Sequence, residues 1–208
     1  MGTRVDEALL HGSDPVVGWG HAGTLWRTRT IHDGFDELAR IVSATAAVER
    51  PRFLGVDVQK EALAAGDLLA AGIDDPMLRD LAAGIRPAGR DAQELMATCD
   101  RIRESATSEN IAALALQIEL YADAYLMEPD LAGLGRRDRH MARLLREHMP
   151  QSGVVALWAH NEHVAKNPVN FGGPALGWYL DRDPGVEYVA VGVMTGPGTA
   201  RVRTSSNR

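Results

Sequence analysis

The run Trp158-Ala159-His160-Asn161-Glu162-His163 carries two imidazoles, a carboxamide and a carboxylate within six positions. Imidazole titrates near neutral pH, so either histidine can take up or release a proton under physiological conditions. Asn161 can orient a ring or donate a hydrogen bond to an oxyanion, and Glu162 can favour an imidazolium by its charge. The same residue types also serve as ordinary hydrogen-bonding loop residues, and spacing alone leaves both readings open. His160-x-x-His163 could supply two metal ligands, but it lacks the helical i, i+4 spacing of His-Glu-x-x-His and has no cysteine cluster beside it. No metal is expected.

Two further groups of residues could take part. Asp57 and Gln59 lie two apart in Arg52-Phe53-Leu54-Gly55-Val56-Asp57-Val58-Gln59. On an extended chain that spacing puts both side chains on one side. Asp57 could then hold an imidazole, or either residue could cap the helix that follows. Arg136-Arg137-Asp138-Arg139-His140 is expected to open a helix, where three arginines oppose the helix dipole. A bound anion or carbonyl, a carboxylate such as Asp57, or plain solvation of a basic face would each compensate. The chain has no Gly-x-Ser-x-Gly elbow, no Walker loop and no Gly-x-Gly-x-x-Gly after a strand. A serine hydrolase, a P-loop enzyme and a dinucleotide enzyme are therefore poor fits, and no cofactor is expected.

These residues need elements to position them. Apolar residues at Ile31, Phe35, Leu38, Ala39 and Val42 predict a helix from about residue 30. The Gly-rich stretch before it reads as loop. Helices are predicted over 60–71, from Asp75-Pro76, from Asp91 to about Ser105, from a Thr107 or Ser108 cap to about Met127, from Arg136 to Met149 and over Ala175 to Leu180, with caps and prolines marking their ends. Gly133 and Gly135 read as loop. Residues 52–59, the continuous apolar run 154–159 and residues 187–194 read as strands covered on both faces. Gly196-Pro197-Gly198 reads as a turn, and 199–203 as a last strand. The expected fold is α/β: a mostly parallel sheet with a large helical insertion between the first strand and the later ones. The site would lie at the carboxyl ends of the strands.

Composition bounds the function. The chain has 208 residues, 45% of them hydrophobic and 24% charged, as in an ordinary globular domain. Its net charge of −6 disfavours nucleic-acid binding as the main task. No apolar run approaches the ~18 residues of a membrane span. A single cysteine, Cys99, excludes an internal disulfide, and with no secretory stretch at the start the expectation is a cytoplasmic protein.

Taken together, these segments resemble the erythromycin esterase family. Val155-Ala156-Leu157-Trp158-Ala159-His160-Asn161-Glu162-His163-Val164 is similar to its Trp-Ala-His-Asn-x-His-Val segment. Phe53 to Gln59 resembles its Phe-x-Gly-x-Asp-x-Gln strand, and Arg137-Asp138-Arg139-His140-Met141-Ala142 its Arg-Asp-x-x-Met-Ala helix. Leu176 to Leu180, Tyr188 to Gly192 and Gly198-Thr199 resemble its closing elements, and Trp26-Arg27-Thr28 its Trp-rich stretch. The resemblance spans about residues 20 to 203. It implies a hydrolase that opens a macrolide lactone, and so inactivates an antibiotic, by water that a histidine activates without a serine nucleophile. It implies that the histidines of His160-Asn161-Glu162-His163 line the pocket with Arg137. The catalytic residues expected are His160 or His163 as acid/base and Arg137 polarising the carbonyl, with Asp57, Gln59, Asn161 and Trp158 binding a small-molecule ester or lactone.

The family's Gly-Glu-x-x-His-Gly segment has no counterpart. Leu10-His11-Gly12 shares only His-Gly, with Ala8 where the glutamate would stand. The chain therefore reads as one domain over residues 1–208, an incomplete version of the family enzyme. The alternative is a non-catalytic remnant or binding module.

Overall fold

Helix caps partition the chain much as the sequence predicts. In the computed structural model, which describes residues 2–19, 28–127, 131–150, 152–170 and 172–192, Thr28 caps α3 (Arg29–Ala44) by accepting from the Ile31 N–H. Asp75 caps α5 (Pro76–Ala82) through the Met77 and Leu78 amides, with Pro76 in its first turn. Ser108 caps α7 (Glu109–Tyr125). Between them lie α4 (Glu61–Ala70) and α6 (Arg90–Glu104). Two helices stand where loop is expected: α1 (Gly2–His11) and α2 (Pro15–Trp19). Among the described side chains of α1, Val5 and Leu9 are the buried apolar ones, packed against Phe35 and Val42 of α3. Two anchors among glycines are too few to display a helical period.

The main core lies between α4, α5, α6 and α7. Leu68, Leu78, Leu81, Leu95, Cys99 and Ile118 are all inaccessible to solvent. α7 is the central element, with eight of its residues buried. A second cluster forms where α8 (Leu131–His148) meets α10 (Leu176–Asp181), around Met141, Ala142, Leu145, Leu176 and Leu180. Gly133 and Gly135 belong to α8 and not to a loop. A Cβ on Gly135 would lie 2.7 Å from the Gly173 backbone, so a bare helix face there lets the backbone of Gly172 and Gly173 approach.

The expected parallel sheet is not present. Among the described residues, 51–60, 154–160 and 186–192 have no regular structure, and the only β pairing is an isolated bridge between Asn170 and Gly173. The apolar character of these runs suggests burial on both faces, but several of their residues are exposed. Val56, Leu157 and Tyr188 pack on the α8–α10 cluster, while Val154, Val189 and Val191 are 96%, 75% and 74% exposed. A parallel sheet needs neighbouring extended segments buried on both faces, and among the described residues these runs pack on helices without pairing with one another. The predicted turn at 196–198, the strand at 199–203 and Trp26-Arg27 lie outside the described residues. Among the described residues no helix is long and apolar enough to cross a membrane.

Candidate functional site

The site gathers on the middle of α8. Because α8 begins at Leu131, the arginines of 136–139 lie past its first turn and not at its opening. Their compensation comes from carboxylates. Arg137 donates from Nε to Asp57 Oδ1 at 2.9 Å and from Nη2 to Asp57 Oδ2 at 2.7 Å, a bidentate fork. Burial by itself lowers the Arg137 pKa, but the hydrogen bonds and charge of Asp57 outweigh it and hold the guanidinium above its ordinary value. Arg136 donates to the Asp123 carbonyl at 3.0 Å.

Asp57 does not hold an imidazole, and neither it nor Gln59 caps α4. Lys60 occupies the cap position in a left-handed conformation, with no side-chain cap bond. Asp57 Oδ1 accepts from the Gln59 amide at 3.2 Å. Gln59 is drawn to α7: its Nε2 donates to the Tyr125 hydroxyl at 3.3 Å, and its carbonyl accepts from Gln117 at 3.0 Å.

The histidine loop splits into two environments. His160 precedes the short helix α9 (Asn161–Val164), and its Nδ1 accepts from the Glu162 amide at 3.3 Å. Its side chain is 68% exposed. His163 turns the other way. Its Nδ1 lies 2.7 Å from Oδ1 of Asp138, and the side chains are 19% and 3% exposed. Asp138 Oδ2 accepts from the Leu176 amide at 3.0 Å. Asn161 opens α9, and Trp158 is 65% exposed.

The structure thus joins Asp57 to Arg137 and brings His163 onto the next residue of the same helix. His160 and Trp158 face solvent. Sequence reasoning misses Asp138, although a signal is present. Gly135, Asp138, Met141, Ala142 and Leu145 recur at helical spacing and are all buried. An aspartate on the apolar face of a helix must have partners. Tyr125 is also missed.

A second His–carboxylate pair joins a buried histidine of α8 to a half-buried aspartate of α7. His140 Nε2 is 2.5 Å from Asp123 Oδ2. Burial above all, with the charges of Arg139 and Arg143, holds the His140 pKa below its ordinary value against the hydrogen bond and charge of Asp123, which raise it. Cys99 is no nucleophile: it is fully buried, and desolvation with the charges of Glu119 and Asp75 pushes its thiol up to about 12. Among the described residues no group of three or more His, Cys, Asp or Glu is placed to hold a metal.

His163 is thus held on the buried carboxylate of Asp138, and Arg137, the preceding residue of α8, is held by Asp57. Imidazole, carboxylate and guanidinium are group types that acid–base hydrolysis employs. The family model of the erythromycin esterase matches residues 1–208, the whole chain, and the protein belongs to that family of esterase-like hydrolases. No curated protein and no solved structure matches it.

Proposed function

We propose that the protein hydrolyses an ester or lactone bond in a small molecule, using water activated by His163. The observation that carries this reading is the 2.7 Å contact between His163 Nδ1 and the buried Asp138 carboxylate. With Nδ1 engaged there, Nε2 is the nitrogen that can act on water. In the proposed step, Nε2 takes a proton from water as the oxygen attacks the acyl carbon. Arg137 stabilises the oxyanion of the tetrahedral intermediate from the part of its guanidinium not turned to Asp57. The intermediate then collapses, the C–O bond breaks, and His163 returns the proton to the leaving alkoxide. The products are a carboxylic acid and an alcohol, joined in one chain if the substrate is a lactone.

Asn161 and Trp158 would contact the substrate, with Asp57 and Gln59 holding the adjoining wall. Family membership supports a macrolide lactone as the substrate class, and ring opening would give the protein a role in antibiotic resistance. The buried thiol of Cys99 is compatible with a reducing, cytoplasmic setting.

The test is incubation of the protein with a panel of macrolide lactones and simple aryl esters, followed by mass spectrometry for addition of one water. Turnover is expected in wild type. It is expected to be lost in His163→Ala and reduced much less in His160→Ala. Absence of turnover on every substrate, or equal turnover in wild type and His163→Ala, overturns the proposal.

A further inference from the structure

We infer that Asp138 is a positioning residue that sets the tautomer of His163. It keeps the proton on Nδ1 and the lone pair on Nε2. The catalytic consequence rests on the hydrolase reading above, whereas the geometry does not.

A carboxylate only accepts hydrogen bonds. Asp138 Oδ2 is committed to the N–H of Leu176, the first residue of α10. The first amides of a helix lack partners within it, and Ala175 before α10 offers no side-chain cap. Asp138 therefore satisfies from α8 a buried donor of α10, and that bond fixes the plane of the carboxylate. Its other oxygen is left 2.7 Å from His163 Nδ1. At that distance, facing an acceptor, Nδ1 must be the donor. The opposite edge of the ring carries Nε2, and the side chain keeps 19% of its surface exposed. His160 has the reverse arrangement, because its Nδ1 accepts from a backbone amide. Only one of the two histidines is held ready as a base.

A merely structural carboxylate and a tautomer-setting one respond differently to Asp138→Asn. The carboxamide has the same shape and can still accept from the Leu176 N–H through its oxygen. Its NH2 then faces His163 Nδ1, which must become an acceptor, so the ring proton moves to Nε2. The helices stay joined while the base is blocked, as when a triad aspartate is replaced by asparagine.

The experiment is long-range 1H–15N correlation NMR on protein labelled with 15N-histidine, recorded above the imidazole titration range. The His163 signals are assigned by their loss in His163→Gln. Wild type is expected to show a protonated Nδ1 and an unprotonated Nε2, and Asp138→Asn the reverse, with its melting transition retained. In turnover assays Asp138→Asn is expected to lose about 10³–10⁴-fold in kcat with KM little changed. A protonated Nε2 in wild type, or an unchanged tautomer or kcat in Asp138→Asn, overturns the inference. If Asp138→Asn does not fold, the wild-type spectrum alone decides. The expected tautomers without turnover on any substrate would sink the hydrolase reading and leave the positioning intact. Turnover with the opposite wild-type tautomer would do the reverse.

Discussion

Arg137 and Asp57 stand 80 positions apart and meet through two parallel hydrogen bonds of 2.9 and 2.7 Å. The fork ties the run before α4 to the middle of α8. It is lopsided in exposure, with the arginine side chain 15% exposed and the aspartate 41%. Removing the aspartate therefore strands a mostly buried cation, whereas removing the arginine frees a carboxylate that already meets water.

Asp57→Ala is expected to destabilise the fold by about 1–3 kcal/mol, the cost of leaving a buried charged donor unpaired, toward the lower end because one partner is solvated. Arg137→Lys should also lower stability, since an ammonium cannot span both oxygens as the guanidinium does. Urea unfolding midpoints measure both. A midpoint for Asp57→Ala equal to wild type would show that the fork contributes nothing.

How far the sequence can be read depends on how local each signal is. Asp75-Pro76 and Ser108 mark the starts of α5 and α7 through bonds to amides two or three residues ahead, and the apolar spacing of Ile31, Phe35, Leu38 and Val42 marks α3, so these helices are legible. The runs at 52–59, 154–159 and 187–194 mislead because a short apolar run shows hydrophobicity without showing what covers it. Val56 and Val189 look alike in sequence, yet one packs on the α8–α10 cluster and the other is 75% exposed. The site is legible in residue type at His163, Arg137 and Asp57. Its pairing of His163 with Asp138 is not, because that contact joins positions 25 apart across two helices.

Gly177 is a close-approach position. A Cβ there would meet Val164 O at 2.3 Å and Val164 C at 2.7 Å, both backbone atoms of α9 that cannot swing aside. Gly177→Ala is expected to cost about 1–3 kcal/mol through overpacking. It should also push α10 off α9 and so disturb the Leu176–Asp138–His163 chain. Gly66, inside α4, is the control, because a methyl added there would meet nothing within 4 Å. Gly66→Ala should gain about 0.5–1 kcal/mol from helix propensity alone. Thermal or urea unfolding of the pair should move in opposite directions, and a shift of the same sign in both would refute the packing argument.

His140 should make the fold sensitive to mild acid. Its imidazole is 9% exposed, lies 2.5 Å from Asp123 Oδ2, and is held below its ordinary value chiefly by burial. The unfolded chain therefore binds a proton at His140 more readily than the folded chain does, and where the unfolded state holds more protons stability rises with pH. The contribution is fully present above the unfolded histidine value of about 6.5. It is lost progressively as pH falls below that value toward the depressed folded one. Glutamine retains a donor toward Asp123 but does not titrate. Wild type should thus lose more stability than His140→Gln between about pH 7 and pH 5, with the two curves running parallel above that window. Urea unfolding at closely spaced pH values measures the difference directly. Curves that stay parallel throughout would mean that His140 gains its proton as easily folded as unfolded, and that burial does not govern its titration.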